Sequence, residues 1–208
     1  TATSPSDFYS KLETFLTTDT DLVAAGEEWS VVWTDSAAGV TSKVFRGTGA
    51  AGTDEIYVGI RLYENAPVDD AYIEMVGMTG YLPTANDIFE HVNTARVSAR
   101  VFLDFSSFTY HFVANGRRFI IVNKISTSYE LGYAGYFLPY VLPTQYPEPL
   151  LVGGMAPGDS PDLGALGDEI TNWRSIADEH SNFAASQPST NLLVYEHSSG
   201  HVLARDSS

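Results

Sequence analysis

Apolar residues repeat at helical spacing near the start of this chain and at every second position through much of the rest. From Ser6 to Val23, the residues Phe8, Leu12, Phe15 and Leu16 fall at i, i+4, i+7 and i+8, which places them on one stripe of an amphipathic helix. Ser6 is the expected N-cap, with Asp7 favourably placed in the first turn. The run Thr17-Thr18-Asp19-Thr20-Asp21 is a poor helix interior, so a split there and a second turn ending at Gly26 are expected.

From Trp29 the period becomes two. Trp29–Trp33 and Thr41–Arg46 read as a hairpin around Ala37-Ala38-Gly39, and Glu55–Tyr63 alternates with Ile56, Val58, Ile60 and Leu62 on one face. Tyr72–Val76 reads as a short strand and Asn86–His91 as a helical turn. Val97, Ala99, Val101, Leu103 and Phe105 alternate with polar residues, and Phe108, Tyr110 and Phe112 begin a further run. That run meets Asn115-Gly116, the preferred pair for a two-residue type I′ turn, and Phe119–Val122 completes the hairpin.

After Ser126 the composition changes. Tyr129, Tyr133, Tyr136, Tyr140 and Tyr146 are interleaved with Gly132, Gly135, Pro139, Pro143, Pro147 and Pro149. So many prolines exclude a central strand and favour an extended arm. Gly153–Gly167 reads as a loop or linker. Asp168–Ser181 reads as a helix anchored by Trp173 and Ile176, and Leu192–Tyr195 with His201–Ala204 as a last hairpin. The expected class is therefore α+β: a mostly antiparallel β-sheet with an N-terminal amphipathic helix and a Tyr/Pro-rich extended arm. The expected organisation is a main β-rich domain over residues 1–152, a linker over 153–167, and a small C-terminal helix plus hairpin over 168–208.

Charge narrows the partners. Lys+Arg number 11 against Asp+Glu 26, a formal net charge of -15. That field repels phosphate, so sequence-specific or general nucleic-acid binding and anionic membranes are not expected. An acidic surface lining a channel would still let DNA pass without gripping it. The absence of cysteine removes disulfides and thiolate chemistry. The first residues carry neither a basic segment nor an apolar run, so synthesis in a cytoplasm without a signal peptide is expected.

Motifs for catalysis or cofactors fail on context. Gly47-Thr48-Gly49-Ala50-Ala51-Gly52 matches the dinucleotide fingerprint, but a strand pattern follows where a helix is needed. His197 and His201 flank a tight turn beside Glu196, yet Glu196 and His197 point to opposite faces of a strand, so turn-flanking polar residues are the better reading. Asp19-x-Asp21 has Ala24 and Ser30 where a calcium loop needs glycine and a bidentate acid. No catalytic, cofactor-binding or metal-binding residue is expected, and the chain reads as a non-enzyme. Arg117, Arg118 and Lys124 form the one basic cluster. Arginine beside tyrosines is typical of contact surfaces, so Arg117, Arg118, Tyr129, Tyr133, Tyr136, Tyr140 and Tyr146 are the candidate interface residues.

A resemblance accompanies this reading. The run Tyr110-His-Phe-Val-Ala-Asn-Gly-Arg-Arg-Phe-Ile-Ile-Val-Asn-Lys124 is followed by Ser126-Thr-Ser-Tyr129. Then come Tyr133-Ala-Gly-Tyr-Phe-Leu-Pro-Tyr140 and Gln145-Tyr-Pro-Glu-Pro-Leu-Leu-Val-Gly-Gly154. Together these resemble a recurrent block in virion structural proteins of tailed bacteriophages, and Tyr57-Val-Gly-Ile-Arg61 to Gly80-Tyr81 looks similar as well. The resemblance implies a particle component of the neck, tail or baseplate that contacts copies of itself and other virion proteins. It brings no catalytic residues and no cofactor. A capsid-surface or receptor-facing protein, or a carbohydrate-binding module using exposed tyrosines, are the alternative readings.

Overall fold

The computed structural model describes residues 1–36, 40–48, 55–65, 70–92, 99–136, 150–155, 171–175, 192–196 and 202–206. The class expected from the periodicity is what it has: a helical N-terminus followed by antiparallel sheet. Helix α1 spans Pro5–Thr18 and α2 spans Thr20–Ala25. The split falls at Asp19, whose carboxylate accepts from the amides of Asp21 (3.0 Å) and Leu22 (3.4 Å) and so caps α2. Gly26 ends α2 at φ 66. The first cap differs from the expectation. Ser4, not Ser6, accepts from the Asp7 amide at 3.1 Å, because Pro5 is suited to the first helical position, where its missing N–H costs nothing.

Two five-stranded antiparallel sheets follow, each an up-and-down meander. The first runs β1 (Ser30–Asp35), β2 (Thr41–Gly47), β3 (Ile56–Asn65), β4 (Asp70–Met78) and β5 (Ala99–Leu103) in spatial order. The second has the order β10 (Thr171–Ser175), β9 (Leu150–Met155), β8 (Ser128–Tyr136), β7 (Arg118–Ile125) and β6 (Thr109–Asn115). A separate hairpin pairs β11 (Leu192–Glu196) with β12 (Val202–Asp206), as the last alternating runs predict. The turns expected at 37–39 and at 197–201 lie outside the described residues.

Alternation decides which side of each strand is dry. Ile56, Val58, Ile60 and Leu62 are buried, and so are Ile73, Met75, Val101 and Leu103 on the neighbouring strands. They meet Phe119, Ile121, Ala134 and Val152 from the second sheet in one core. Each of the Val, Leu, Ile, Met and Phe side chains contributes about 1.5–3 kcal/mol on leaving water. Glycines let the two layers close. A Cβ built on Gly154 of β9 would lie 2.1 Å from the Arg100 carbonyl oxygen of β5, and one on Gly132 would lie 2.6 Å from Val101 Cγ2.

Helix α1 plugs the side of the sandwich next to β6. Phe8, Leu12 and Leu16 are buried with Tyr9, while Phe15 is partly buried. The Phe8 ring packs against Phe108, Tyr110 and Phe112 at 5.5, 5.5 and 5.2 Å. The Tyr9 hydroxyl donates to the Ile60 carbonyl at 2.8 Å, and Lys43 of β2 pairs with Glu13.

The opposite face of the first sheet is covered as well. Trp33, Val44, Val76, Met78 and Ile88 form a second cluster beneath the segment 79–92. The turn expected over Asn86–His91 is present as a single bend, with the Glu90 amide donating to the Asp87 carbonyl at 3.1 Å.

Four expectations are corrected. The extended arm read from Tyr129 onward begins as a central strand. Ser128–Tyr136 is β8, paired with β7 on one side and β9 on the other, because the prolines that would exclude a strand start only at Pro139. The remainder of the arm, residues 137–149, lies outside the described residues. The helix read over Asp168–Ser181 is replaced at Thr171–Ser175 by strand β10, paired residue for residue with Met155–Leu151 of β9. Its Gly153–Met155 portion, read as the start of a linker, is therefore strand. Here the demand of a sheet edge for a partner overrides weak local helical patterning. The Asn115-Gly116 hairpin exists, but its turn is not type I′. The loop residues are Gly116 and Arg117, closing on the pair Asn115↔Arg118, and none of these residues has positive φ. The Asn115 side-chain oxygen accepts from the amides of Arg117 (2.9 Å) and Arg118 (3.2 Å), while its carbonyl accepts from Trp29 Nε1 at 2.9 Å. Asn115 thus closes the turn with its side chain from the base of the strand.

Candidate functional site: an interaction surface on the second sheet

The outer face of the second sheet is built by period-two alternation from β6, β7 and β8. Phe119, Ile121 and Asn123 point into the core, so Arg118, Ile120, Val122 and Lys124 point out. Registry aligns them in rows across the strands: Val113, Ile120 and Tyr133; then His111, Val122 and Leu131; then Thr109, Lys124 and Tyr129. Val113 is 59% exposed, Tyr129 56% and Leu131 43%. An aliphatic centre between tyrosines, flanked by Arg118 and Lys124, has the makeup of a contact surface.

The basic groups sit at opposite ends of this face. The Lys124 ammonium lies 5.7 Å from the centre of the Tyr129 ring. At the other end, burial pushes the Tyr133 phenol up, while Arg118, through its charge and a hydrogen bond, pulls it back. Arg117 projects from the tip of the hairpin and is exposed. The structure therefore brings Arg118, Tyr129 and Tyr133 onto one face, with Arg117 at its rim. Tyr136 ends β8 opposite Leu150. Tyr140 and Tyr146 lie outside the described residues.

The aliphatic part of the surface was not singled out from sequence. Val113, Ile120, Val122 and Leu131 look like ordinary strand residues until the register shows which face they share. The signal was available in the alternation: β7 has apolar residues on both of its faces, the mark of a strand meant to be covered twice.

Other polar clusters are occupied with the fold. Glu74, buried on the far face of the first sheet, accepts from Arg61 Nε at 2.9 Å and from Arg100 Nε and Nη2 at 3.4 Å. Arg61 also reaches Asp87 at 3.1 Å and holds the 79–92 segment down. Two arginines against two carboxylates leave no net charge to attract a ligand. His91 Nδ1 accepts from the Leu82 amide at 3.0 Å, and its ring stands edge-on to Trp33 at 4.8 Å. Desolvation lowers its pKa, against the opposing pull of Asp87 and Glu90.

The motifs weighed from sequence fall as follows. Gly47 ends β2, and the next described element is β3, an antiparallel strand, where a dinucleotide site requires a helix. Gly49 and Gly52, with His197 and His201, lie outside the described residues. Among the described residues no three His, Asp or Glu side chains gather as a metal site, and no helix is long and apolar enough to cross a membrane. A comparison of the sequence with known proteins finds no matching family model and no matching curated relative.

Proposed function

We infer that this chain is a structural subunit of a tailed-phage particle, placed in its neck, tail or baseplate, and that the outer face of the second sheet meets its neighbours. The observation that carries the reading is the shared face of Val113, Tyr129 and Leu131, each more than 40% exposed. Exposed in isolation, such a face invites association, and covering it requires a second surface. The resemblance of the Asn-Gly-Arg-Arg hairpin and the Tyr/Pro block to virion proteins supports the particle as the setting. The net charge of -15 supports a subunit that does not grip DNA, with any surface lining a lumen acidic.

The test is a pair of variants in the phage. Tyr129→Glu with Leu131→Glu places charge on two of the most exposed apolar side chains of the face. Arg117→Glu with Arg118→Glu reverses its basic end. The isolated proteins should melt within a few degrees of the parent, since exposed charges contribute little to monomer stability. Both should be depleted from purified particles. Incorporation of the Tyr129/Leu131 variant at the parental copy number would refute the reading.

A further inference from the structure

The cover of the first sheet is braced through an imidazole. The segment 79–92 leaves β4, crosses the outer face of that sheet and returns to its own start. There the Thr79 amide donates to the Val92 carbonyl at 3.0 Å, and Gly80 bridges Val92. The far half of this closed loop is tied down on its own. Asp87 accepts from the Phe89 amide at 2.9 Å and Glu90 from the Asn86 amide at 2.8 Å. Arg61 of β3 pairs with Asp87 at 3.1 Å and lies over the Phe89 ring at 5.1 Å. Among the described residues, one bond joins the two halves above the base: the Leu82 amide donates to His91 Nδ1 at 3.0 Å.

That bond fixes the state of the ring. A backbone N–H can only donate, so Nδ1 carries a lone pair and the proton of the neutral ring sits on Nε2. Nε2 is buried and has no hydrogen-bond partner among the described residues. The ring, 6% exposed, stands edge-on to Trp33 at 4.8 Å. A second proton can go only to Nδ1, where it would point at the Leu82 N–H, donor against donor. The cation would then sit in an apolar site with both of its N–H groups unpaired, which costs more than burying a neutral ring. The protonated ring does not fit the closed segment.

The charged groups around the ring oppose this conflict without removing it. Asp87 and Glu90, on its own segment, favour the cation. From β3 comes Arg61, already bound to Asp87 and to Glu74 of β4. The cluster beneath presents Trp33 from β1, Val44 from β2 and Val76 and Met78 from β4, none of which titrates. Tyr57 and Tyr81 border it, and phenols carry no charge in acid. Desolvation is the larger effect and holds the ring below its ordinary 6.5. The segment is therefore closed at neutral pH, and the closed form is lost as pH falls through that lowered value.

We propose that His91 is an acid-sensitive latch on the cover of the first sheet. Protonation of the ring breaks its bond to Leu82 and turns it out of its pocket. The 79–85 half of the segment then lifts, while Arg61 keeps Asp87 and Phe89 in place. Opening is local, because Phe8, Ile60 and Ile121 belong to the separate cluster between the sheets. Acid thus bares the edge of Trp33 that the imidazole covers, a residue 8% exposed in the closed form.

The test is an NMR titration of the full chain from about pH 7.5 to about pH 4.5. The His91 ring, the Leu82 amide and the Trp33 indole N–H should share one midpoint, below 6.5. Protection of the Leu82 amide against exchange should fall at least about tenfold across it, while Ile60 and Ile73 of the central strands β3 and β4 keep theirs. His111, exposed on β6, should titrate without moving Leu82. Glu90→Gln keeps an acceptor for the Asn86 amide and removes a charge that favours the cation, so the midpoint should move to lower pH. His91→Asn puts a neutral acceptor oxygen where Nδ1 stands, and Leu82 and Trp33 should then stay unchanged over the whole range. A His91 ring that titrates while the Leu82 amide stands still would overturn the proposal. So would a ring that stays neutral until the core unfolds, loss of protection at Leu82 and Ile60 together, or the same transition in His91→Asn. If His91→Asn does not fold, an unmoved midpoint in Glu90→Gln counts against it equally.

Discussion

Gly154→Ala is the sharpest perturbation of the packing that holds the two sheets together. The backbone conformation at Gly154 is one any residue adopts, so only space is at issue. The added Cβ would sit 2.1 Å from the Arg100 carbonyl oxygen, 2.8 Å from its carbonyl carbon and 3.0 Å from its amide nitrogen. These are main-chain atoms of β5, bound into the ladder with β4, and they cannot rotate aside as a side chain would. Relief requires the sheets to part by about 1 Å at this point, a gap that forfeits a quarter to a half of the local dispersion contacts. Overpacking of this kind costs about 3 kcal/mol, the upper end of its usual range. For a chain of this size that is a fall in Tm of about 6–12 °C. Gly80→Ala is the control, because its Cβ would meet Val92 at 3.6 and 3.7 Å, ordinary contact. Thermal unfolding followed by circular dichroism measures both. A Gly154→Ala protein melting within about 2 °C of the parent would refute the close approach of β9 and β5.

Further expectations follow from single groups. Ser126 is the one described non-glycine residue at positive φ (55), in the β7–β8 turn, so Ser126→Gly should stabilise by about 1 kcal/mol; an unchanged or lower Tm would contradict it. Burial raises the pKa of Glu130 above its ordinary 4.5, so its cost to stability is absent below that value and grows as pH rises through the folded pKa. Glu130→Gln should therefore raise Tm at pH 7 and leave it unchanged near pH 3.5, and equal effects at both would exclude the burial argument. His91 has the opposite sign: its folded pKa is lowered from 6.5, so its contribution is complete above that value and is lost as pH falls through the folded pKa. An NMR titration placing His91 at or above 6.5 would exclude its burial beneath the 79–92 segment.

Strong periodicity was legible in the sequence, and weak periodicity was not. Ile56, Val58, Ile60 and Leu62 announce β3 and its buried face without help, and Phe8, Leu12 and Leu16 announce α1. Thr171–Ser175 carries no such pattern, and its state is set by β9, a partner that local reading does not see. Asn115-Gly116 misled because the dipeptide rule concerns backbone freedom, whereas Asn115 acts through its side-chain oxygen and lies one position earlier in the hairpin. The interaction surface was half visible. Arg118, Tyr129 and Tyr133 stand out by residue type, but Val113, Ile120, Val122 and Leu131 join them only once the register is known. The terminal place of β6 in its sheet was invisible, since strand order is a property of the whole sheet.

The central claim is that this chain is built into a tailed-phage particle through the outer face of its second sheet. A reconstruction of the purified particle by electron cryomicroscopy, at side-chain resolution, tests it directly. The account predicts density for the two-sheet domain with Val113, Tyr129 and Leu131 buried against a neighbouring subunit, over a contact burying more than about 1,000 Å². A particle that lacks the chain, or one in which that face is turned to solvent, would contradict it.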